Sequence, residues 1–330
     1  MKTLMLSKED VASVINLEDI ISAVEECYKA FCLGEVIQPD YMGFEFDEPR
    51  GGIDFKAGYC SRNEKISMKS SSGGFKNNVS DFGIPANMGT VLLYDARNCA
   101  LQCIMDGSLI TGLRTGAAGA VSVKYLARKN SEIISSIGTG TQARNQIKAI
   151  SLVMDIKEIH AFDSYTPAVE SFKKDIEGEF GIPVIIEKSM KEAVEVSDIV
   201  VSTTRGKGPL IEASWIKKGT HIVAIGADCK GKQEYEPEIF KNAKIVNDSI
   251  EQCISKGETC NGIEKGVISK EDIYAEIGEI VLGKKRGRTN DDEITIFDST
   301  GMAVQDNLTA DMIYNRAVSK GIGIEFEFFK

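Results

Sequence analysis

The 330-residue chain is predicted to be an α/β protein built on a doubly wound parallel sheet, and three observations carry that expectation. A short apolar strand, Ile133-Ile134-Ser135-Ser136-Ile137, runs into the turn Gly138-Thr139-Gly140-Thr141-Gln142-Ala143 and then into a helix. Strand candidates recur at 132–137, 158–163, 183–188, 198–204, 221–227, 243–248 and 293–298, most of them separated by helical stretches. An acid, Asp163, stands twenty residues beyond Ala143, at the end of the second of these strands. Apolar strands alternating with helices pack as parallel units with helices on both faces.

The elements follow in order. Ser7-Lys8-Glu9-Asp10 has the form of a capping box opening a short helix, and a helical pattern from Leu17 to Leu33 ends at Gly34. From Gly52 to Asp95 the pattern is strand-like, broken by the polar stretch Ser70 to Asn78. Thr115 to Leu126 is rich in small residues and reads as a tightly packed helix bridging to the next domain. After the glycine turn, Ala143, Ile147, Ile150 and Val153 fall on one helical face, and Ser189 caps a further helix. The tail reads as a helix, 309–320, and a strand from Ile324 to Phe328, placed to return to the first domain.

Composition excludes several classes. A length of 330 residues suggests about two domains. The formal charge of −10 argues against a nucleic-acid surface, and the basic run Lys284-Lys285-Arg286-Gly287-Arg288, followed by Asp291, Asp292 and Glu293, reads as a solvated turn. No apolar run approaches the ~20 residues of a membrane helix, and the N-terminus lacks the apolar core of a signal peptide. Eight cysteines without a C-x-x-C pair point to reduced thiols, a cytoplasmic location and no metal site. The two histidines, His160 and His221, open apolar strands and read as packed or edge residues. Acid–base chemistry is therefore expected from Asp, Glu, Lys, Tyr or Cys.

The glycine turn is suited to a dinucleotide. Gly138 permits the tight turn, Gly140 lets backbone N–H groups reach a pyrophosphate, and the small Ala143 lets the helix pack on the strand. Together with Asp163 this is the pattern of a Rossmann-type domain; the bland alternative is a glycine turn in another α/β protein. Asp163 can accept from both ribose hydroxyls but repels a 2′-phosphate, and Ser164, Tyr165 and Thr166 follow it rather than an arginine. NAD is expected over NADP.

Ligands of such sheets bind at the carboxyl ends of strands. Thr203-Thr204, Gly226-Ala227-Asp228 and Asp298-Ser299 stand at three of these ends. Asp228 is placed to take a proton from an amine or water, the alternative being an acid that caps a turn. In the first domain, Lys69 and Arg114 could grip a carboxylate; taken singly, each is a surface charge.

Taken together these segments change that judgement. Lys69, Leu113 to Ala120 with Lys124 to Ala127, Ile137 to Arg144, Ile225 to Glu234, and Phe297 to Ala303 occur in this order, and with them the chain resembles the ornithine cyclodeaminase/mu-crystallin family over essentially its full length. The resemblance implies a smaller α+β substrate-binding and dimerisation domain from both chain ends, 1–126 with 302–330, around an NAD-binding domain, 127–301. It implies a homodimer acting on a small amino acid or imine. Lys69 and Arg114 would hold the carboxylate, Asp228 would be the acid/base, and Lys69 would also stand in the catalytic set. The cofactor set would be Arg114, Thr115, Gly138, Thr139, Gly140, Thr141, Gln142, Ala143, Asp163, Thr203, Thr204 and Ser299.

Two departures bear on the substrate. Where the family often has an arginine after the first long helix, Gln38-Pro39-Asp40-Tyr41 offers Tyr41. Where ornithine cyclodeaminases carry a glutamate for the distal amine, Ile53-Asp54-Phe55-Lys56 offers Asp54, with Lys56 on the same strand face. An ammonium there repels a diamino acid. The expected activity is that of an NAD(H)-dependent amino-acid dehydrogenase or imine reductase. The alternatives are a cyclodeaminase releasing ammonia without net NADH, and a non-catalytic binder of nucleotide or ligand.

Overall fold

The computed structural model describes residues 2–40, 42–46 and 51–328, with the Lys207 side chain left aside; Tyr41 lies outside the described residues. Two compact units divide the chain: residues 1–114 with 302–330, and residues 115–301. The first part of the chain runs β1 (Thr3–Leu6), α1 (Lys8–Val14), α2 (Leu17–Cys32), β2 (Val36–Ile37), β3 (Met42–Glu45), β4 (Gly52–Cys60), β5 (Lys65–Gly73), α3 (Asn78–Phe82), β6 (Met88–Asp95), β7 (Ala100–Asp106) and α4 (Gly107–Leu126). The middle runs β8 (Ile133–Ile137), α5 (Thr141–Ser151), β9 (Glu158–Phe162), α6 (Thr166–Phe180), β10 (Val184–Ile186), α7 (Met190–Val196), β11 (Ile199–Ser202), β12 (Lys207–Ile211), β13 (His221–Ala224) and β14 (Gln233–Tyr235). It closes with β15 (Ala243–Asn247), α8 (Ile250–Lys256), α9 (Glu258–Glu264), β16 (Ile273–Glu276), α10 (Ile277–Val281), β17 (Ile294–Asp298), α11 (Ala303–Lys320) and β18 (Ile324–Phe326).

In the first unit the strands follow the order β18-β1-β7-β6-β5-β4-β2, with β3 also paired to β4. Every pair is antiparallel except β1 with β7. The capping box at Ser7 starts α1, as expected: Asp10 N–H donates to Ser7 Oγ and Ser7 N–H to Asp10 Oδ2. Apolar residues from the β1, β6 and β7 faces meet Val11, Val14, Ile110, Ile313 and Ala317 in one core. Helix α11 begins at Ala303, six residues before the expected start at 309. Its first turn lies so close to β4 that a Cβ at Gly58 would stand 3.0 Å from the Ala303 Cβ.

In the second unit all eight strands of the main sheet are parallel, in the order β10-β9-β8-β11-β13-β17-β15-β16. This is the expected doubly wound Rossmann-type sheet. Its order reverses between β8 and β11, and the crevice of such sheets opens at that point. Strands β12, β14 and β16, of three to five residues, were not anticipated; they carry little alternation to read. The small-residue stretch of α4 is needed for packing: a Cβ at Gly116 would fall 2.4 Å from Asn145 O, and one at Gly119 would strike Gln146 Oε1. Arg288 corrects the reading of a solvated turn, since its guanidinium donates to Leu126 O and Glu293 O and to Thr295 Oγ1. A blocked arginine among backbone carbonyls resembles surface charge in sequence alone. The eight cysteines are all free thiols. Among the described residues, no helix is long and apolar enough to cross a membrane.

Candidate active site

The first unit gathers charge on one sheet face. Lys56 on β4 and Lys69 on β5 are direct cross-strand partners, so their side chains leave the same face. Lys69 is only 2% exposed; its Nζ lies 2.9 Å from Asp306 Oδ1 and 2.8 Å from Oδ2. Arg114, near the middle of α4, donates from Nε to Asp306 Oδ1 at 3.2 Å and from Nη1 to Gln305 Oε1 at 3.0 Å. Gln305 in turn donates to the Tyr28 hydroxyl at 2.9 Å and accepts from Met302 N–H. Two buried cations thus share one carboxylate, and the group keeps a surplus positive charge.

That surplus registers on the lysine. Burial above all, then Arg114 and Lys56, push the Lys69 pKa from 10.5 down to about 7, against the upward pull of Asp306. Burial pushes the Asp306 carboxyl up, but Lys69 and Arg114 outweigh it and hold it below its ordinary value. An entering carboxylate would supply the missing negative charge and favour the ammonium form. Asp54, two residues before Lys56 on β4, is exposed and pairs across with Ser71.

Asp306 and Gln305 join the expected pair Lys69 and Arg114 as unexpected members of the site. Gln305-Asp306-Asn307 is a run of polar residues ahead of the expected tail helix, and nothing in its local pattern marks it as a site. All three are buried. Asn307 donates to Gly58 O and Lys65 O, so the start of α11 is fastened to the sheet along its whole first turn.

In the second unit the glycine turn sits at the carboxyl end of β8. Gly138 has φ +85°, and a Cβ there would lie 3.2 Å from Thr203 O, so the position is held to glycine twice over. Thr139 donates to Asp163 Oδ2 from both N–H and Oγ1, each at 2.9 Å, and Tyr165 N–H donates to Asp163 Oδ1. The acid expected at a ribose therefore also ties the second strand to the turn. Gly140 precedes α5 with open space where a Cβ would stand, Thr141 is exposed at the helix start, and Ala143 is fully buried beneath it. Gln142 Nε2 and Thr203 Oγ1 are buried without a hydrogen-bond partner among the described residues. Open backbone at a helix N-terminus beside orphaned donors suits a dinucleotide. Thr115 uses its carbonyl to accept from Gln146 Nε2 at 2.8 Å.

Two loops leave the neighbouring strands. Thr204 N–H donates to Glu234 Oε1, and a Cβ at Gly226 would strike the same carboxyl group, so buried Glu234 lies between the Thr203-Thr204 and Gly226-Ala227-Asp228 loops. Burial pushes the Glu234 pKa up. Asp228 is exposed, with Oδ1 2.6 Å from Lys232 Nζ. Ser299 is buried and donates to Asp248 Oδ2 at 2.7 Å. Behind these loops, Glu234 N–H donates to Glu258 Oε1, and Asp298 accepts from Glu258 N–H and from Thr259 N–H and Oγ1. Burial, foremost, lifts Glu258 to about 8 and Asp298 to about 7. Among the described residues, no group of three or more His, Cys, Asp or Glu is arranged to hold a metal ion. His221 is buried between Ser122 and Thr295 and pushed down to about 3, chiefly by burial, which leaves it neutral.

Comparison with known proteins adds relatives of the same length. The ornithine cyclodeaminase/mu-crystallin family matches the chain over residues 1–321. An alanine dehydrogenase of Archaeoglobus fulgidus is 40% identical, covering 100% of both chains. The structure of an archaeal alanine dehydrogenase dimer with bound NAD superposes with a TM-score of 0.93 at 40% identity, over 100% of both chains. That of Thermococcus litoralis Delta(1)-pyrroline-2-carboxylate reductase in complex with NADH and L-proline gives 0.92 at 33% identity, covering 98% of this chain and 99% of that one.

Proposed function

From the premise that the chain belongs to the ornithine cyclodeaminase/mu-crystallin family, we propose that it is an NAD(H)-dependent oxidoreductase interconverting a small L-amino acid and its imine. The observation that carries this reading is the buried group of Lys69, Arg114 and Asp306, whose unbalanced positive charge is matched to a single carboxylate. The relatives that bind NAD or NADH, and the one that also holds L-proline, support the same substrate class and cofactor.

The roles divide by unit. Residues of the first unit are assigned the substrate and dimerisation, and those of the second the cofactor. Lys69 and Arg114 hold the α-carboxylate, with Lys56 adding positive charge on the same sheet face. The turn from Gly138 to Ala143, with Asp163, Thr203, Thr204 and Ser299, holds NAD, whose nicotinamide accepts or returns the hydride of the substrate Cα. Asp228 takes one proton from the α-ammonium as the imine forms, and gives it back in the reverse direction. The protein supplies alignment and charge. The homodimer expected from the family is assigned to the chain on the precedent of the archaeal dimer.

One screen tests this: purified protein with NAD against L-amino acids, and with NADH against 2-oxo acids plus ammonia and against cyclic imines. NADH formed or consumed with a small amino acid or its imine is the expected result. Ammonia released from L-ornithine with no net NADH would replace it with the cyclodeaminase reading, in which Asp54 grips the distal amine.

A further inference from the structure

The turn after β13 carries two lysines, and they are used differently. Lys230 reaches towards α9, 3.5 Å from Glu264 Oε1. Lys232 turns back to Asp228 at 2.6 Å. Gly231, at φ +86°, provides the reversal. The Lys232 backbone is fixed on both sides: its N–H donates to Cys229 O, and its carbonyl accepts from Asn261 Nδ2 of α9 at 3.1 Å. Its side chain is 33% exposed, against 53% for Asp228. Among the described residues, the charged and titratable groups around Lys232 include Cys229 on the turn and Glu234 on β14, and the Lys230–Glu264 pair joins the same turn to α9.

We propose that Lys232 is a positioning residue for Asp228: its ammonium holds the Asp228 carboxylate in place and ionised, ready to take the substrate's proton. The proposal rests on the reading of Asp228 as the proton carrier. A half-exposed ion pair ordinarily contributes little to stability. Its effect on a neighbouring acid is another matter, because a cation in direct contact favours the carboxylate form whatever the pair does for the fold. Burial pushes the Lys232 pKa down, yet Asp228, joined by Cys229 and Glu234, outweighs it and the value is raised, so the lysine stays charged across the neutral range. An acid used as a base benefits, since it remains deprotonated further into the acidic range.

The test is the pH dependence of kcat/KM for amino-acid oxidation. In Lys232→Met the acid limb should move to higher pH by about one unit, giving roughly tenfold lower kcat/KM on the acid side. Lys232→Arg should return the limb towards its original place. In the unaltered protein, about 1 M KCl should move the limb in the same direction by screening the pair, so the salt arm decides by itself if Lys232→Met does not fold. An unmoved acid limb in Lys232→Met, or a loss of the same size at every pH, overturns the proposal. Asp228→Asn separates this failure from that of the underlying reading. A fall of ~100-fold or more in turnover with an unmoved Lys232→Met limb removes only the role of Lys232. Near-normal turnover of Asp228→Asn removes the assignment of Asp228, and the proposal with it.

Discussion

Lys69 and Asp306 stand 237 positions apart in sequence and 2.8 Å apart in the folded chain, both almost wholly out of water. With Arg114 on the same carboxylate, Asp306 is shared by two buried cations. The fold tolerates this arrangement, and a ligand carboxylate would complete it.

Asp306→Asn keeps the shape and removes the negative charge. Breaking a buried ion pair by removing one partner costs on the order of 3–5 kcal/mol, and denaturant unfolding should show a loss of that size. A carboxylate substrate should recover part of it. A loss below about 1 kcal/mol would mean that Asp306 is dispensable to the cation pair.

The pH dependence of substrate binding follows from Lys69. Its pKa of about 7 lies below 10.5, so the ammonium is lost as pH rises through 7. The carboxylate binds the charged form, and KM for an amino acid should therefore climb between about pH 7 and about pH 8.5, by up to ~tenfold per unit. In Lys69→Arg, which stays charged, this rise should disappear. The stability sign is opposite: between 7 and 10.5 the unfolded chain binds a proton that the folded one does not, so this residue makes folding more favourable as pH rises through that window. Initial rates across this range, at saturating NAD, are the check; a flat KM would remove Lys69 from the carboxylate site.

Asp163 should set cofactor choice. NAD(H) is expected to bind more tightly than NADP(H), and Asp163→Ala to narrow the gap by roughly 1.5–3 kcal/mol as a charge-assisted hydrogen bond and a repulsion are both lost. The variant also frees Thr139 N–H and Oγ1, so NAD affinity should fall more than NADP affinity rises. Fluorescence titration of both reduced cofactors measures this, and tighter NADPH binding by the unaltered protein is the contrary result.

Lys56 should govern substrate charge. Because it shares a sheet face with Lys69, L-ornithine and L-lysine are expected to be poor substrates and small neutral or acidic amino acids better ones. Lys56→Glu reverses the local charge, which should weaken acidic substrates and improve diamino acids. Comparison of kcat/KM across such a series decides it. Efficient conversion of L-ornithine by the unaltered protein would exclude this role.

Much of this was legible because it is local. Seven of the eight main strands of the second unit, the glycine turn and Asp163 lie in contiguous apolar and glycine patterns. Lys69 and Arg114 gained meaning from a family pattern rather than from their surroundings in sequence. Asp306, Glu234 and Lys232 were not singled out, since each matters through a partner contributed by the folded chain. For Asp306 that partner is distant, on β5; for Glu234 it is a backbone N–H thirty residues away; for Lys232 it is an acid across a single turn. The edge strand β16 and the small β12–β14 pair are too short to show a period.

The discontinuous make-up of the first unit has a consequence for biosynthesis. The second unit, 115–301, is contiguous and is complete on the emerging chain before Asp306 has been made. At ~5–20 residues per second, the 237 residues between Lys69 and Asp306 take on the order of 10–50 s to translate. Until it ends Lys69, and Arg114 once it is made, have no Asp306 to close upon, and β4 and β5 wait for the helix that covers them. The first residues made must therefore be among the last to reach their final packing, and the late arrival of one aspartate completes the earliest part of the chain.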